Sequence, residues 1–148
     1  MVCQELMNRD ITIITGDTPC REIMRLQADD PSRPLVVTNE DGFLLGVVTA
    51  RDFLQLHLDQ TRSDPMAPPS PQADDEALRL TVRKIANLMA KDLMIKAPIV
   101  AQVDTAVSNV IVSMVQQSLN FVPVVREGKI QGVIGRAEIL RQMLEMMP

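Results

Sequence analysis

Thr49 and Asp52 are the pair in this 148-residue chain whose types and spacing suit chemistry. A hydroxyl followed three positions later by a carboxylate is the Ser/Thr-x-x-acid pattern of a helix N-cap with an acidic third residue. An apolar run, Leu44-Leu45-Gly46-Val47-Val48, leads into Thr49, so the pair sits where a buried strand turns into a helix. Such a turn leaves backbone N–H groups free at the helix start, where the helix dipole favours an anion such as phosphate. The stretch is therefore either a cap or a cap that also holds a ligand.

The elements that position it form a unit. Ile11 to Ile14 read as a short β-branched strand, followed by a helix that Thr18 can cap, with Pro19 at its first position. Cys20, Ile23, Met24 and Gln27 share one face of that helix, and Asp29-Asp30-Pro31-Ser32 stops it. Leu35-Val36-Val37 is a second strand, Asn39-Glu40-Asp41-Gly42 a hairpin turn, Phe43 to Val48 a third strand, and Arg51 to Leu58 a closing helix. The order strand, helix, strand, strand, helix implies a small α/β sheet covered by its helices.

The unit is written twice. Met7 and Met94, and likewise Asp17 and Asp104, lie 87 positions apart, while Gly42 and Gly128, and Gly46 and Gly132, lie 86 apart. Val122-Pro123-Val124-Val125 answers Pro34-Leu35-Val36-Val37. Matches in this order indicate an internal duplication. Residues 1–60 read as the first repeat and 81–148 as the second with a leading helix over Thr81–Met94, its inner side formed by Val82, Ile85, Ala86, Met89 and Leu93. Residues 61–80, with Pro65, Pro68, Pro69 and Pro71, read as an extended linker.

Composition removes several classes of partner. The net charge is −4, with no Trp or Tyr and three Phe, so the chain lacks both the stacking platforms and the positive field that nucleic acid requires. No segment reaches the length of a membrane span, and the first residues lack the basic and apolar regions of a signal peptide, which points to the cytoplasm. Cys3 and Cys20 read as reduced structural thiols, and His57 as a surface or interface residue with no metal-binding partner at ligand spacing. Leu140, Met143, Leu144 and Met147 share a face of the last helix that reads as core or dimer surface.

Leu6-Met7, Asp17-Thr18-Pro19, Leu35-Val36-Val37, Asp41-Gly42 and Gly46 to Asp52, with their echoes Leu93-Met94, Asp104-Thr105, Pro123-Val124-Val125, Gly128 and Gly132-Val133-Ile134, resemble a tandem pair of CBS domains, the Bateman module. The resemblance covers nearly the whole chain outside the linker. It implies an α/β sandwich of two βαββα repeats about a pseudo-twofold axis, dimeric, with clefts that bind AMP, ADP, ATP or S-adenosylmethionine. It assigns Thr49 to phosphate and Asp52 to ribose, with Val48 beside them and Arg51 as a further phosphate contact. A carboxylate accepts from both hydroxyls of a ribose diol, which suits that assignment. The resemblance places the purine against Ile14, Thr15, Arg33, Pro34 and Leu35.

In the second copy Gly135 and Glu138 replace the Thr and the Asp, beside Arg136, Val122 and Pro123. Glycine still caps a helix, so the fold tolerates these changes better than binding does. Two functional readings follow: an adenosine-ligand sensor acting on a partner in trans, and a dimerisation or docking module without ligand. Nothing resembles an activated nucleophile, a metal set or an acid–base pair, which leaves an enzyme as the remote alternative.

Overall fold

A computed structural model describes residues 1–61 and 71–148. The chain runs α1 (Cys3–Leu6), β1 (Thr12–Ile14), α2 (Cys20–Asp29), β2 (Leu35–Thr38), β3 (Leu44–Val48), α3 (Ala50–Thr61), α4 (Pro71–Ala86), α5 (Ala90–Leu93), β4 (Ile95–Lys96), β5 (Ala101–Gln102), α6 (Val107–Gln116), β6 (Phe121–Arg126), β7 (Lys129–Gly135) and α7 (Arg136–Met146). One sheet has the order β1-β2-β3-β4 and the other β5-β6-β7. In each, the first strand runs parallel to the second, through a helical crossover, and the third returns antiparallel by a hairpin. This is the expected βαββα unit, formed twice.

Register shows how the copies align. Val37 lies opposite Gly46, and Val124 lies opposite Gly132. Val37 therefore corresponds to Val124, and Leu35 to Val122, one position off the alignment that sequence had suggested for this strand. The missing residue falls in the hairpin, where Asn39–Gly42 in the first repeat answers Arg126–Gly128 in the second. Both turns end on a glycine with positive φ, 85° at Gly42 and 80° at Gly128, where a side chain would be strained.

The leading segments of the two repeats are exchanged. α1 donates Cys3 N–H to Thr105 O and Gln4 N–H to Val103 O, and Cys3 and Met7 pack with Ala101, Val110, Met114 and Ile134 of the second repeat. Reciprocally, Ala90 N–H donates to Thr18 O and Lys91 N–H to Gly16 O, and Ala90 packs with Cys20, Ile23 and Phe53 of the first. Two glycines let these segments pass. A Cβ on Gly46 would stand 2.7 Å from Ile95 O, and one on Gly132 would stand 2.7 Å from Asn8 O. Between the sheets, Val36 and Val47 meet Phe121 and Val133 in a buried layer. Burial of each such side chain contributes about 1.5–3 kcal/mol.

Four local expectations are corrected. Residues 71–80, read as part of an extended linker, belong to α4, because Pro71 suits a helix start and Thr81 and Ile85, one turn apart, are both buried. The helix expected over Thr81–Met94 breaks after Ala86, since the chain must turn to bring Ala90 into the first core, and Val82 is 59 % exposed. Pro19, rather than Thr18, is the N-cap of α2, and the Thr18 hydroxyl instead accepts the Thr15 N–H at 3.1 Å. On α2 the buried fourth residue is Gln27, its amide donating to Arg33 O at 3.4 Å, while Met24 faces out.

Candidate functional site

The end of β3 and the start of α3 place Thr49, Arg51 and Asp52 together. Thr49 follows a fully buried Val48, so the strand anchors the turn from inside the core. Asp52 Oδ2 accepts the Thr49 N–H at 2.7 Å, and Asp52 N–H donates to Thr49 O at 3.1 Å, closing the turn. Burial raises the Asp52 carboxyl above the usual carboxylate range, against the opposing pull of the Thr49 hydrogen bonds and the nearby Arg51 charge. Arg51 itself is exposed.

These three residues line a cavity of about 360 Å³ with Val47 and Gln55. Its opposite wall comes from the other repeat: Ile95 of β4, which crosses Gly46; Ala97, Pro98 and Ile99 just after β4; then Gln117 to Phe121 and Pro123. Ala97 and Ser118 hold φ of 54° and 53°, a left-handed conformation uncommon outside glycine, at two turns of this wall. The first cleft thus joins a polar lip from one repeat to a largely aliphatic wall from the other.

A second cleft of about 490 Å³ repeats the arrangement with the copies exchanged. Gly135, Arg136, Ala137 and Glu138 face Asn8, Asp30, Pro31, Ser32 and Pro34 of the first repeat, and Asn120 and Phe121 border both clefts. Glu138 Oε2 accepts the Gly135 N–H at 3.0 Å, so the longer acid closes its turn as Asp52 does.

The remaining residues singled out in the sequence fall in several places. Ile14, Leu35 and Val122 are buried core, as is Val48. Thr15 is exposed beside Thr18, and Arg33 reaches Thr12 Oγ1 through Nη1 at 3.4 Å. Pro34 lines the second cleft and Pro123 the first. Ile14, Thr15, Arg33, Pro34 and Leu35 are therefore not brought to the cavity of Thr49 and Asp52. Sequence reasoning missed the wall that is there, although carrying Arg33 and Pro34 forward by the 87-residue offset leads to Asn120 and Phe121.

Other reactive side chains have structural surroundings. His57 Nδ1 lies 2.7 Å from Thr81 Oγ1, which donates to Ala77 O, joining α3 to α4. Cys3 and Cys20 are free thiols in different cores, each pushed up in pKa first by burial and then by Asp104 or Asp92 respectively. Among the described residues no three His, Cys, Asp or Glu side chains are grouped to hold a metal ion. No helix among them is long and apolar enough to cross a membrane. The face of α7 read as core or dimer surface is outside the core, with Leu140, Met143, Leu144 and Met147 all exposed. Leu140 and Met143 border a groove of about 360 Å³ against Ile111 and Val115 of α6.

The chain is similar to uncharacterized protein MJ1426 of Methanocaldococcus jannaschii, with 23% identity over 97% of this chain and 92% of that protein. Its fold matches CBSX2, a CBS-pair protein of Arabidopsis thaliana, in a crystal structure with AMP. That match has a TM-score of 0.74 and 21% identity, over 98% of this chain and 97% of the other. The CBS domain pair of protein MJ0100, in complex with 5′-methylthioadenosine and S-adenosyl-L-methionine, matches with a TM-score of 0.70 and 15% identity, over 99% and 98%. A CBS-domain family model matches residues 3–59 and 90–145, the two structural repeats, and the chain belongs to the CBS-domain family as a tandem pair.

Proposed function

We propose that this chain is a regulatory sensor that binds an adenosine compound, of the class AMP, ADP, ATP or S-adenosylmethionine, in the first cleft and signals to a partner protein in trans by a change of shape. The observation that carries this reading is the composition of one cavity, in which a hydroxyl, a guanidinium and a carboxylate face a largely aliphatic wall from the opposite repeat. Asp52, with a second oxygen beyond the one that accepts the Thr49 N–H, takes the ribose hydroxyls, while Thr49 and Arg51 take phosphate. Ile95, Ile99 and Leu119 offer the purine an apolar slot. The volume lies within the range of small-molecule sites. Adenosine ligands in the related CBSX2 and MJ0100 structures support the reading.

The exposed apolar stripe on α7 favours a second reading, a dimerisation or docking module that needs no ligand. Homodimerisation through this stripe is compatible with both. A thermal-shift panel of AMP, ADP, ATP, S-adenosylmethionine and NAD separates them. A ligand at 100 times its dissociation constant stabilises by about 2.7 kcal/mol, which for a chain of this size is a rise of about 5–10 °C in Tm. The sensor reading requires such a rise in wild type and its loss in Asp52→Ala. A panel without effect leaves the docking module, and a rise that survives Asp52→Ala moves the site elsewhere.

A further inference from the structure

We propose that the first cleft is built for an adenosine ligand bearing a single phosphate, and that Arg51 sets this selectivity. The inference rests on the reading above that the cleft takes an adenosine compound. Of the described residues that line the cavity, Arg51 is the one cation and Asp52 the one anion; every other described lining residue is uncharged. A guanidinium holds one phosphate through two parallel N–H bonds, and a phosphate monoester carries about −1.5 to −2 charge at neutral pH. One phosphate thus uses the whole cationic capacity of the cleft. A second and third phosphate add charge that no further cation among the described lining residues meets, beside a carboxylate of the same sign. Neutral lining groups such as Gln117, Ser118 and Asn120 do not balance that charge, and its repulsion from the Asp52 carboxylate weakens binding.

The second cleft sharpens the point. It also holds one arginine, Arg136, but sets it against two carboxylates, Asp30 and Glu138. Asp30 Oδ1 already accepts from the Ser32 N–H and hydroxyl. The same fold can thus carry a cleft with balanced charge or one with net negative charge, and the balanced one also has the hydroxyl. Lys96 stands between the lining residues Ile95 and Ala97 in the chain but is not itself among the residues lining the cavity.

Isothermal titration in magnesium-free buffer tests the assignment, with adenosine, AMP and ATP on wild type, Arg51→Gln and Lys96→Gln. One charge-assisted contact corresponds to about a tenfold change in affinity. Wild type is expected to bind AMP about tenfold more tightly than either adenosine or ATP. Arg51→Gln, at an exposed position, should keep the wild-type Tm and bind AMP no better than adenosine, and Lys96→Gln should keep the wild-type order. ATP binding as tightly as AMP, or an AMP preference that survives Arg51→Gln or vanishes in Lys96→Gln, overturns the proposal while leaving an adenosine site in place. If none of the three ligands binds folded protein, the adenosine reading itself fails and takes this inference with it.

Discussion

The two clefts are made from the same parts: a buried strand, a turn into a helix, and an acid three residues on that accepts the first N–H. Asp52 and Glu138 perform that closure at 2.7 and 3.0 Å, and Glu5 and Asp92 do the same at the starts of α1 and α5. The acid spacing that marked Asp52 as a ligand group is therefore a capping device used at four helix starts. What distinguishes the first cleft lies in groups the cap does not need: the Thr49 hydroxyl, and one carboxylate instead of two beside its arginine. A helix N-terminus is shared by both clefts, whereas the balance of charge around it belongs to one.

The comparison can be broken first at the glycines. Gly46→Ala and Gly132→Ala each press a Cβ to 2.7 Å from a backbone oxygen of the exchanged segment, Ile95 O in β4 and Asn8 O in its bridge to Val133, and a carbonyl held by such pairing has little room to retreat. Each substitution is expected to destabilise by about 3 kcal/mol or more in urea denaturation. A cost at one glycine and none at the other would show that the exchange is not equivalent in the two repeats.

Removing the acids tests the capping role against the binding role. Asp52→Ala and Glu138→Ala each lose one hydrogen bond to a partly buried N–H, so similar losses of about 1 kcal/mol are expected from chemical denaturation. Only Asp52→Ala should also abolish the ligand-induced rise in Tm. A matching loss of ligand response in Glu138→Ala would erase the distinction between the clefts.

The smallest effect is in pH. Because burial raises the Asp52 carboxyl, the folded chain retains a proton there that the unfolded chain has released. Its contribution to stability is complete below the unfolded value of about 3.9 and fades as pH rises through the higher folded value. Asp52→Asn removes this titration, so its stability relative to wild type should rise as pH increases across that window. A relative stability that instead fell with pH would mean that the Thr49 bonds and Arg51 outweigh burial.

Much of the fold was legible because it is local. Alternating β-branched runs, Asp-Gly and Glu-Gly turns, and the cap spacing at Thr49 depend on neighbours within a few residues, and their recurrence 86 or 87 positions later exposed the repeat. Less legible was α4, because four nearby prolines suggest extension, whereas burial of Thr81 and Ile85 against the first core is a long-range contact. Gln27 lies inside while Met24 faces out for a similar reason: the Gln27 Nε2 donates to Arg33 O, a partner that helical periodicity does not reveal, although the Gln27 Oε1 is buried without a partner among the described residues.

By itself the sequence determined the two βαββα units, their duplication, and the residues Thr49, Arg51 and Asp52 at one helix start. Tertiary structure alone decided what faces them. Crossing at Gly46 and Gly132 exchanges the leading segments, and the buried layer of Val36, Val47, Phe121 and Val133 presses the two sheets together. The turn at Thr49 therefore opens toward Ile95–Ile99 and Gln117–Phe121, rather than toward Ile14 and Arg33 of its own repeat. Local propensity specifies a strand and its cap, but the partner across a cleft depends on which apolar faces bury each other, a choice made among residues far apart in the chain.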